Sequence, residues 1–479
     1  MVLPYPPYTS SPYLAKTPRC IDYFKMYRLS IRDLLDGFSD GTLSCEAYTR
    51  RVIQRAQDLK VFNHFVSMDT DRMLKNAQEA DARYKSKTNR PLEGILIAMK
   101  DNIDIQGQVT GAGTPGLAGL KAKHTAEVAR RLFDAGAIPA GRTVMHELAR
   151  GSSTTNPYTG DSHNFHNFDY TCGGSSGGSA GAVAADIVPA ALGTDTAGSI
   201  RIPASYSGVY GLRPTSKRWP SNYGLKFTHL RDSVGPLARS LEDIAILDQV
   251  MTGEEAHPEL LPTEIRIGVP RSHFWEGLDP EVKECAEQFL VSVKEKGFVV
   301  IEQGGIPGLA EIFRDYLHPS INHEIVAILQ EYIQYHGHNV TMADIAEKIA
   351  TPVVKEGFGK AMNNPPSEEV VQSAMEARDK LIHDVQKYFQ DHRLDCILMP
   401  ASKIPAPTLS AFKSEKAGEL LVIVENHDCA NVCNNPSLVI PGGYSRASGV
   451  PFGMQIEGLS GSDSRLIAVA RAIQNALQL

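Results

Sequence analysis

Apolar side chains recur along this chain in two rhythms, and each rhythm predicts a kind of element. Ser30–Phe38 and Ser44–Leu59 carry the helical spacing; Ser44 reads as an N-cap, with Val52, Ala56 and Leu59 on the buried face behind it. Asp69–Tyr84 is a third helix, polar and amphipathic. A short apolar run follows, Gly94–Asn102 (GILIAMKDN), which reads as a strand with Lys100 at its end. Thr125–Ala135 returns to helical spacing and leads into a strand at Ala137–Ala140. Such alternation predicts an α/β sheet.

Further along, Ser240 caps a helix at Leu241–Met251, with Glu242 and Asp243 at its positive end. The acidic, proline-containing stretch from Glu254 to Pro262 is the best candidate for a boundary. Beyond it lie a strand at 264–269 (EIRIGV), a helix at Pro280–Lys296 and a strand at Val299–Glu302. Ala310–Tyr335 is a long helical stretch that Pro319 should break or kink, and Ser367–Asp391 is another long, charged helix. Cys396–Pro400 returns as a buried strand, Pro436–Pro441 and Gly449–Glu457 add more sheet, and Ser464–Ala476 closes with an amphipathic helix. There is no internal repeat and no long linker, so one large fold suits the chain better than separable domains.

One stretch departs from both rhythms. Residues 171–216 hold glycines at 173, 174, 177, 178, 181, 193, 198 and 208 and serines at 175, 176, 179 and 199. Between them Ser179–Ile187 has the small apolar residues of a buried helix and Val188–Leu192 those of a short buried strand. The glycines therefore serve tight turns and close packing, and the stretch is a site or the frame of one. Serines on turns 24 residues apart, with a helix and a strand between them, can converge in a sheet protein. A serine hydroxyl needs a base, and this stretch contains no histidine. Lys100 is the other candidate: at the end of a buried strand it loses solvation, its charged form is disfavoured, and a neutral lysine can act as general base.

With these residues in place the chain resembles the amidase signature enzymes, serine hydrolases with a Ser–cis-Ser–Lys triad. Lys100-Asp101-Asn102 matches the family's strand-end lysine segment, Ser175 the first serine of G-G-S-S-G-G, and Ser199 the nucleophile of G-T-D-x-x-G-S-I-R. The residues alone do not choose between Ser175 and Ser176; the family position implies Ser175, in a cis peptide. The resemblance also implies an oxyanion hole from the N–H groups of Thr196, Ala197, Gly198 and Ser199. Many members have glycine where this chain has Ala197, a form shared with allophanate and biuret hydrolases of the family. Two other segments, R-T-V-M-H-E-L-A from Arg142 and T-H-L-R-D-S-V-G-P-L-A-R-S from Thr228, look like those of mandelamide and indoleacetamide hydrolases. G-S-S-T-x-N, from Gly151, also appears in the glutaminyl-tRNA amidotransferase A subunit.

The implied fold is a single large α/β domain, a mixed twisted sheet covered by helices. Its core would span about 25–262 and 395–479, with a variable helical region covering the substrate at about 263–394 and a proline-rich arm at 1–20. The implied reaction is hydrolysis of a small carboxylic amide, aryl or apolar in its acyl group. It calls for no metal or organic cofactor, and homodimers are common in the family. Urea-type amides and a partner-dependent glutaminase subunit are the alternatives. Asp195 and Arg201 flank the nucleophile as an expected structural ion pair, and His146 is expected near the pocket as a hydrogen-bonded structural residue.

Composition narrows the partners. The chain has 479 residues, 42% hydrophobic and 22% charged, with a net charge of −7, which leaves no electrostatic footprint for nucleic acid. No stretch approaches 18 consecutive apolar residues, so no membrane anchor is expected. Seven cysteines, an odd number without a C-x-x-C pair, fit reduced thiols in a cytoplasm, and Cys429 and Cys433 read as core thiols.

Overall fold

The computed structural model describes residues 28–254, 258–302, 304–309, 324–414 and 422–479. Its strands in chain order are β1 (Phe65–Ser67), β2 (Leu96–Lys100), β3 (Ile138–Thr143), β4 (Ala190–Asp195), β5 (Tyr210–Arg213), β6 (Ser233–Ala238), β7 (Arg266–Gly268), β8 (Val299–Ile301), β9 (Cys396–Pro400), β10 (Ser437–Tyr444) and β11 (Pro451–Glu457). Among the described residues they form one 11-stranded sheet in the order β1-β3-β2-β4-β6-β5-β10-β11-β9-β7-β8. β2 runs parallel to both β3 and β4, the pairs through β6, β5, β10, β11 and β9 are antiparallel, and β9, β7 and β8 run parallel. This is a single large mixed α/β domain.

Helix ends follow local chemistry. Ser30 and Asp33 form a capping box at the Ile31–Asp40 helix, and Ser44, Asp69, Ser240 and Ser367 each accept a backbone N–H of the helix that follows. The Gly177–Ala184 helix is different: all eight of its residues are buried. A Cβ on Gly178 would lie 2.5 Å from the Val144 carbonyl oxygen and 2.6 Å from that of His64, so only glycine lets this helix lie so close to its neighbours. Ser179 joins the helix to the sheet, 2.7 Å from the Thr143 hydroxyl and donating to the Leu192 carbonyl at 3.0 Å.

The sheet does not end at the acidic 254–262 stretch. β7 pairs with β9, and β8 with β7, so the chain beyond that stretch extends the same sheet. Strands β1, β5 and β6 lie outside the strands read from the sequence, as do helices at Met342–Lys348, Pro352–Asn363 and Asp428–Cys433. In β6, Gly235 and Pro236 hide a central strand, since proline removes a ladder donor and glycine weakens strand propensity. Of the long 310–335 stretch, Glu324–His336 is helical; Pro319 and the arm at 1–20 lie outside the described residues.

The helices between residues 324 and 363 bury Ile325, Leu329, Ile345 and Phe358 against Leu117, Met145, Leu225 and Phe227, in a cluster separate from the main core. Two buried carboxylates tie these helices to the loops beyond the strands. Asp104 accepts from the Thr110 hydroxyl at 2.7 Å, the Tyr332 hydroxyl at 2.9 Å and His336 Nε2 at 2.9 Å. Glu147 accepts the backbone N–H groups of Ala350 at 3.0 Å and Thr351 at 2.7 Å.

Candidate active site

Parallel pairing of β2 with β4, with Met99 opposite Leu192, brings the carboxyl ends of both strands to one edge of the sheet. Lys100 closes β2 there, fully buried. Its Nζ lies 2.7 Å from Ser175 Oγ and 2.8 Å from Thr194 Oγ1. Burial pushes the amine down to about 7, against the pull of the Asp195 and Asp232 carboxylates. An amine of that kind is neutral often enough near pH 7 to accept a proton.

Ser175 precedes the buried helix, and the Gly174–Ser175 peptide is cis. Its hydroxyl is the one that meets Lys100; the Ser176 hydroxyl turns instead to the Thr194 carbonyl at 3.2 Å. The Ser176 N–H also donates to the Ser199 carbonyl at 3.2 Å, so the two serine turns touch. Ser199 lies between β4 and the Arg201–Ser207 helix, and at 8% exposure it is the one candidate of the three that solvent reaches.

The turn carrying Ser199 is held by Asp195. Its carboxylate accepts from Arg201 Nε at 3.1 Å and Nη2 at 3.0 Å, from Asn431 Nδ2 at 2.8 Å, and from the N–H groups of Gly198 at 2.9 Å and Ile200 at 3.1 Å. Burial pushes this carboxyl up, but the Arg201 guanidinium outweighs burial and holds it well below the usual carboxylate range. Asp195 and Arg201 thus form the expected ion pair. Asn431 and the His427 carbonyl, which takes Arg201 Nη2 at 3.0 Å, join from more than 200 residues away, where no local pattern could announce them.

Of the four N–H groups expected at an oxyanion hole, that of Gly198 is engaged by Asp195, while those of Thr196, Ala197 and Ser199 have no protein acceptor among the described residues. Gly198 has φ +94°, and a Cβ there would meet the His427 ring at 2.6 Å, so glycine is required. Ala197 is not among the residues with positive φ, which is why its methyl group is tolerated in the turn. Asp232, from the R-D pair of the 228–240 segment, braces the far side: it accepts from Thr196 Oγ1 at 2.6 Å, Tyr223 OH at 2.7 Å and Phe227 N–H at 2.6 Å.

His146 donates its backbone N–H to the Ser175 carbonyl at 3.1 Å, and its Nδ1 lies 3.3 Å from Ser153 Oγ. Burial, with the lysine beside it, pushes its imidazole down to about 4, so it stays neutral at pH 7. Cys429 and Cys433 are free, buried thiols. Among the described residues no group of three His, Cys, Asp or Glu side chains is placed to hold a metal ion, and no helix is long and apolar enough to cross a membrane.

Comparison with known proteins matches most of the chain and its fold. The sequence model of the family described as Amidase matches residues 46–467. A mandelamide hydrolase of Pseudomonas putida is 35% identical over 448 residues, covering 89% of this chain and 87% of its own. An indoleacetamide hydrolase of Agrobacterium vitis is 31% identical over 459 residues, covering 94% and 97%. A solved crystal structure of an amidase superposes with a TM-score of 0.81 at 27% identity, over 94% of this chain and 100% of that one.

Proposed function

The chain belongs to the amidase family and hydrolyses amide C–N bonds, and we propose that its substrate is a small carboxylic amide with an aryl or apolar acyl group. The observation that carries the chemistry is the buried amine of Lys100, 2.7 Å from Ser175 Oγ and shifted down to about 7. In this reading Lys100 takes the Ser175 proton as Ser175 takes that of Ser199. Ser199 Oγ bonds to the carbonyl carbon, and the π pair moves to oxygen, where the N–H groups of Thr196, Ala197 and Ser199 receive it, with Gly198 shaping the turn. The lysine-bound proton returns through Ser175 to the leaving nitrogen, the C–N bond breaks, and ammonia or an amine departs. Water then resolves the acyl-enzyme by the same relay and releases the acid.

The substrate class is supported by the relatives named for mandelamide and indoleacetamide. The test is ammonia release by the purified chain from mandelamide, indole-3-acetamide, benzamide, a fatty acid amide, glutamine, biuret and allophanate, with Ser199→Ala as control. Turnover of aryl amides that vanishes in the control supports the proposal. Turnover confined to biuret or allophanate replaces it with a urea-type hydrolase, and a glutaminase that works only with added partner subunits replaces it with a non-autonomous subunit. The free thiols favour a cytoplasmic setting. A homodimer would elute at twice the 52.2 kDa chain mass.

A further inference from the structure

Lys100 has three polar partners among the described residues, and two of them belong to one residue. Besides Ser175 Oγ at 2.7 Å, its Nζ meets Thr194 Oγ1 at 2.8 Å and the Thr194 carbonyl oxygen at 3.4 Å. A protonated lysine has three N–H groups, and these three oxygens satisfy all of them. A neutral lysine has two N–H groups and one lone pair for the same three partners. The carbonyl can only accept, so it always takes an N–H. The direction of the remaining two bonds decides whether the lone pair faces Ser175, where it can take a proton, or Thr194, where it cannot.

Asn102 holds the Thr194 hydroxyl from its other side. Its Nδ2 lies 3.0 Å from the Leu225 carbonyl oxygen, which fixes the amide nitrogen on that side, and the same Nδ2 donates to Thr194 Oγ1 at 3.2 Å. Asn102 is buried and the Leu225 N–H donates to its backbone carbonyl at 3.0 Å, so its place is set from two sides. Thr194 is fixed as well: it sits in β4 opposite Val234, and its N–H and carbonyl both meet the Ser176 hydroxyl.

We propose that Thr194, oriented by Asn102, is a positioning residue that engages both N–H groups of neutral Lys100 and so leaves the lone pair facing Ser175. This rests on the reading of Lys100, Ser175 and Ser199 as the triad. When Ser175 Oγ gives its proton to Nζ, the Thr194 bonds keep their direction, and the Lys100–Ser175 bond is the one that exchanges donor for acceptor. Thr194 also accepts from the lysinium, so it eases the charge that forms on a buried amine.

The experiment compares Thr194→Val, which keeps shape and loses the hydroxyl, with Thr194→Ser, which keeps the hydroxyl, on mandelamide or the best amide of the panel above. Thr194→Val is expected to lower kcat by about 10- to 100-fold with KM nearly unchanged. Its acid limb should move to lower pH, because the lysinium has lost an acceptor. Thr194→Ser should recover most of the rate and the original limb. A Thr194→Val enzyme with wild-type kcat and limb, or a Thr194→Ser enzyme as slow as Thr194→Val, overturns the proposal. If Thr194→Val fails to fold by circular dichroism, Asn102→Ala carries the test: lower kcat at unchanged KM supports the proposal, and wild-type kcat overturns it. Lys100→Ala and Ser199→Ala run alongside. If they retain turnover, the triad reading itself fails; if they are inactive while Thr194→Val is wild type, only the positioning role fails.

Discussion

The glycine-rich segment around Ser175 and Ser199 and the helices from 324 to 363 solve opposite problems. In the first, every residue of the Gly177–Ala184 helix and of β4 is buried, and polar side chains such as Asp195 are matched by several donors each. In the second, the Glu324–His336 helix buries Ile325, Ile328, Leu329, Tyr332, Ile333 and His336 and leaves its other faces to partial or full exposure. The first region holds a few atoms within hydrogen-bond distance of one another and tolerates almost no added volume. The second has an apolar cluster of its own and meets the loops near the site through a few polar ties. The proposed triad lies in the first, so changes in the second should alter what is bound more than how it is cleaved.

The largest expected effect lies in the first region. Lys100→Ala and Ser199→Ala should each lower kcat by about 10³-fold or more while leaving the fold intact, measured by ammonia release and thermal melting together; residual activity near wild type would dissolve the contrast. Next comes Asp195→Ala, which leaves the Arg201 guanidinium buried without its carboxylate. It should cost about 3–5 kcal/mol of stability, visible as a lower urea midpoint, together with lost activity as the Ser199 turn loosens.

The pH dependence is smaller and graded. Lys100 acts as a base only when neutral, and burial brings its amine down to about 7. Activity should therefore be highest above pH 7 and fall about tenfold per pH unit well below it; a rate that stays flat down to pH 5 would remove Lys100 as the base. The smallest effect belongs to the helices from 324 to 363. Tyr332→Phe removes one hydrogen bond to Asp104 and should cost about 1 kcal/mol. It should raise KM for the amide more than it lowers kcat, and an equal fall in kcat would mean that these helices and the chemistry are not separable.

How much of this was legible in the chain followed the same divide. Helices with one apolar face stood out, and Ser44 and Ser240 were legible as caps, because cap and period are local signals. The strand ending at Lys100 and the buried helix and strand around Ser179 and Leu192 were equally plain. What stayed hidden depends on partners far along the chain or on positions that break local rules. β6 carries Gly235 and Pro236 in the middle of a sheet, and β1 is three residues long. Asn431 and Asp232, which brace the Ser199 turn, reach it from distant segments. The Met342–Lys348 helix did carry a sign, the Thr341–Asp344 capping box. Thr194 and Asn102 lay inside recognisable motifs, but their bond to each other exists only once β2 and β4 lie side by side.

The order of the strands also dictates a timetable. The first six strands of the chain, β1 through β6, can pair among themselves as soon as residue 238 has left the ribosome. β7 and β8 come next in synthesis yet sit at the far edge, reached only through β9 and β11. Until residues 437–457 emerge, the free side of β5 is an open edge, and β7, β8 and β9 can pair only with one another, with no strand to link them to the first six. Open edges invite pairing with other chains. A nascent or truncated polypeptide that stops short of β10 is thus the form of this enzyme most in need of a chaperone, although it already contains Lys100, Ser175 and Ser199.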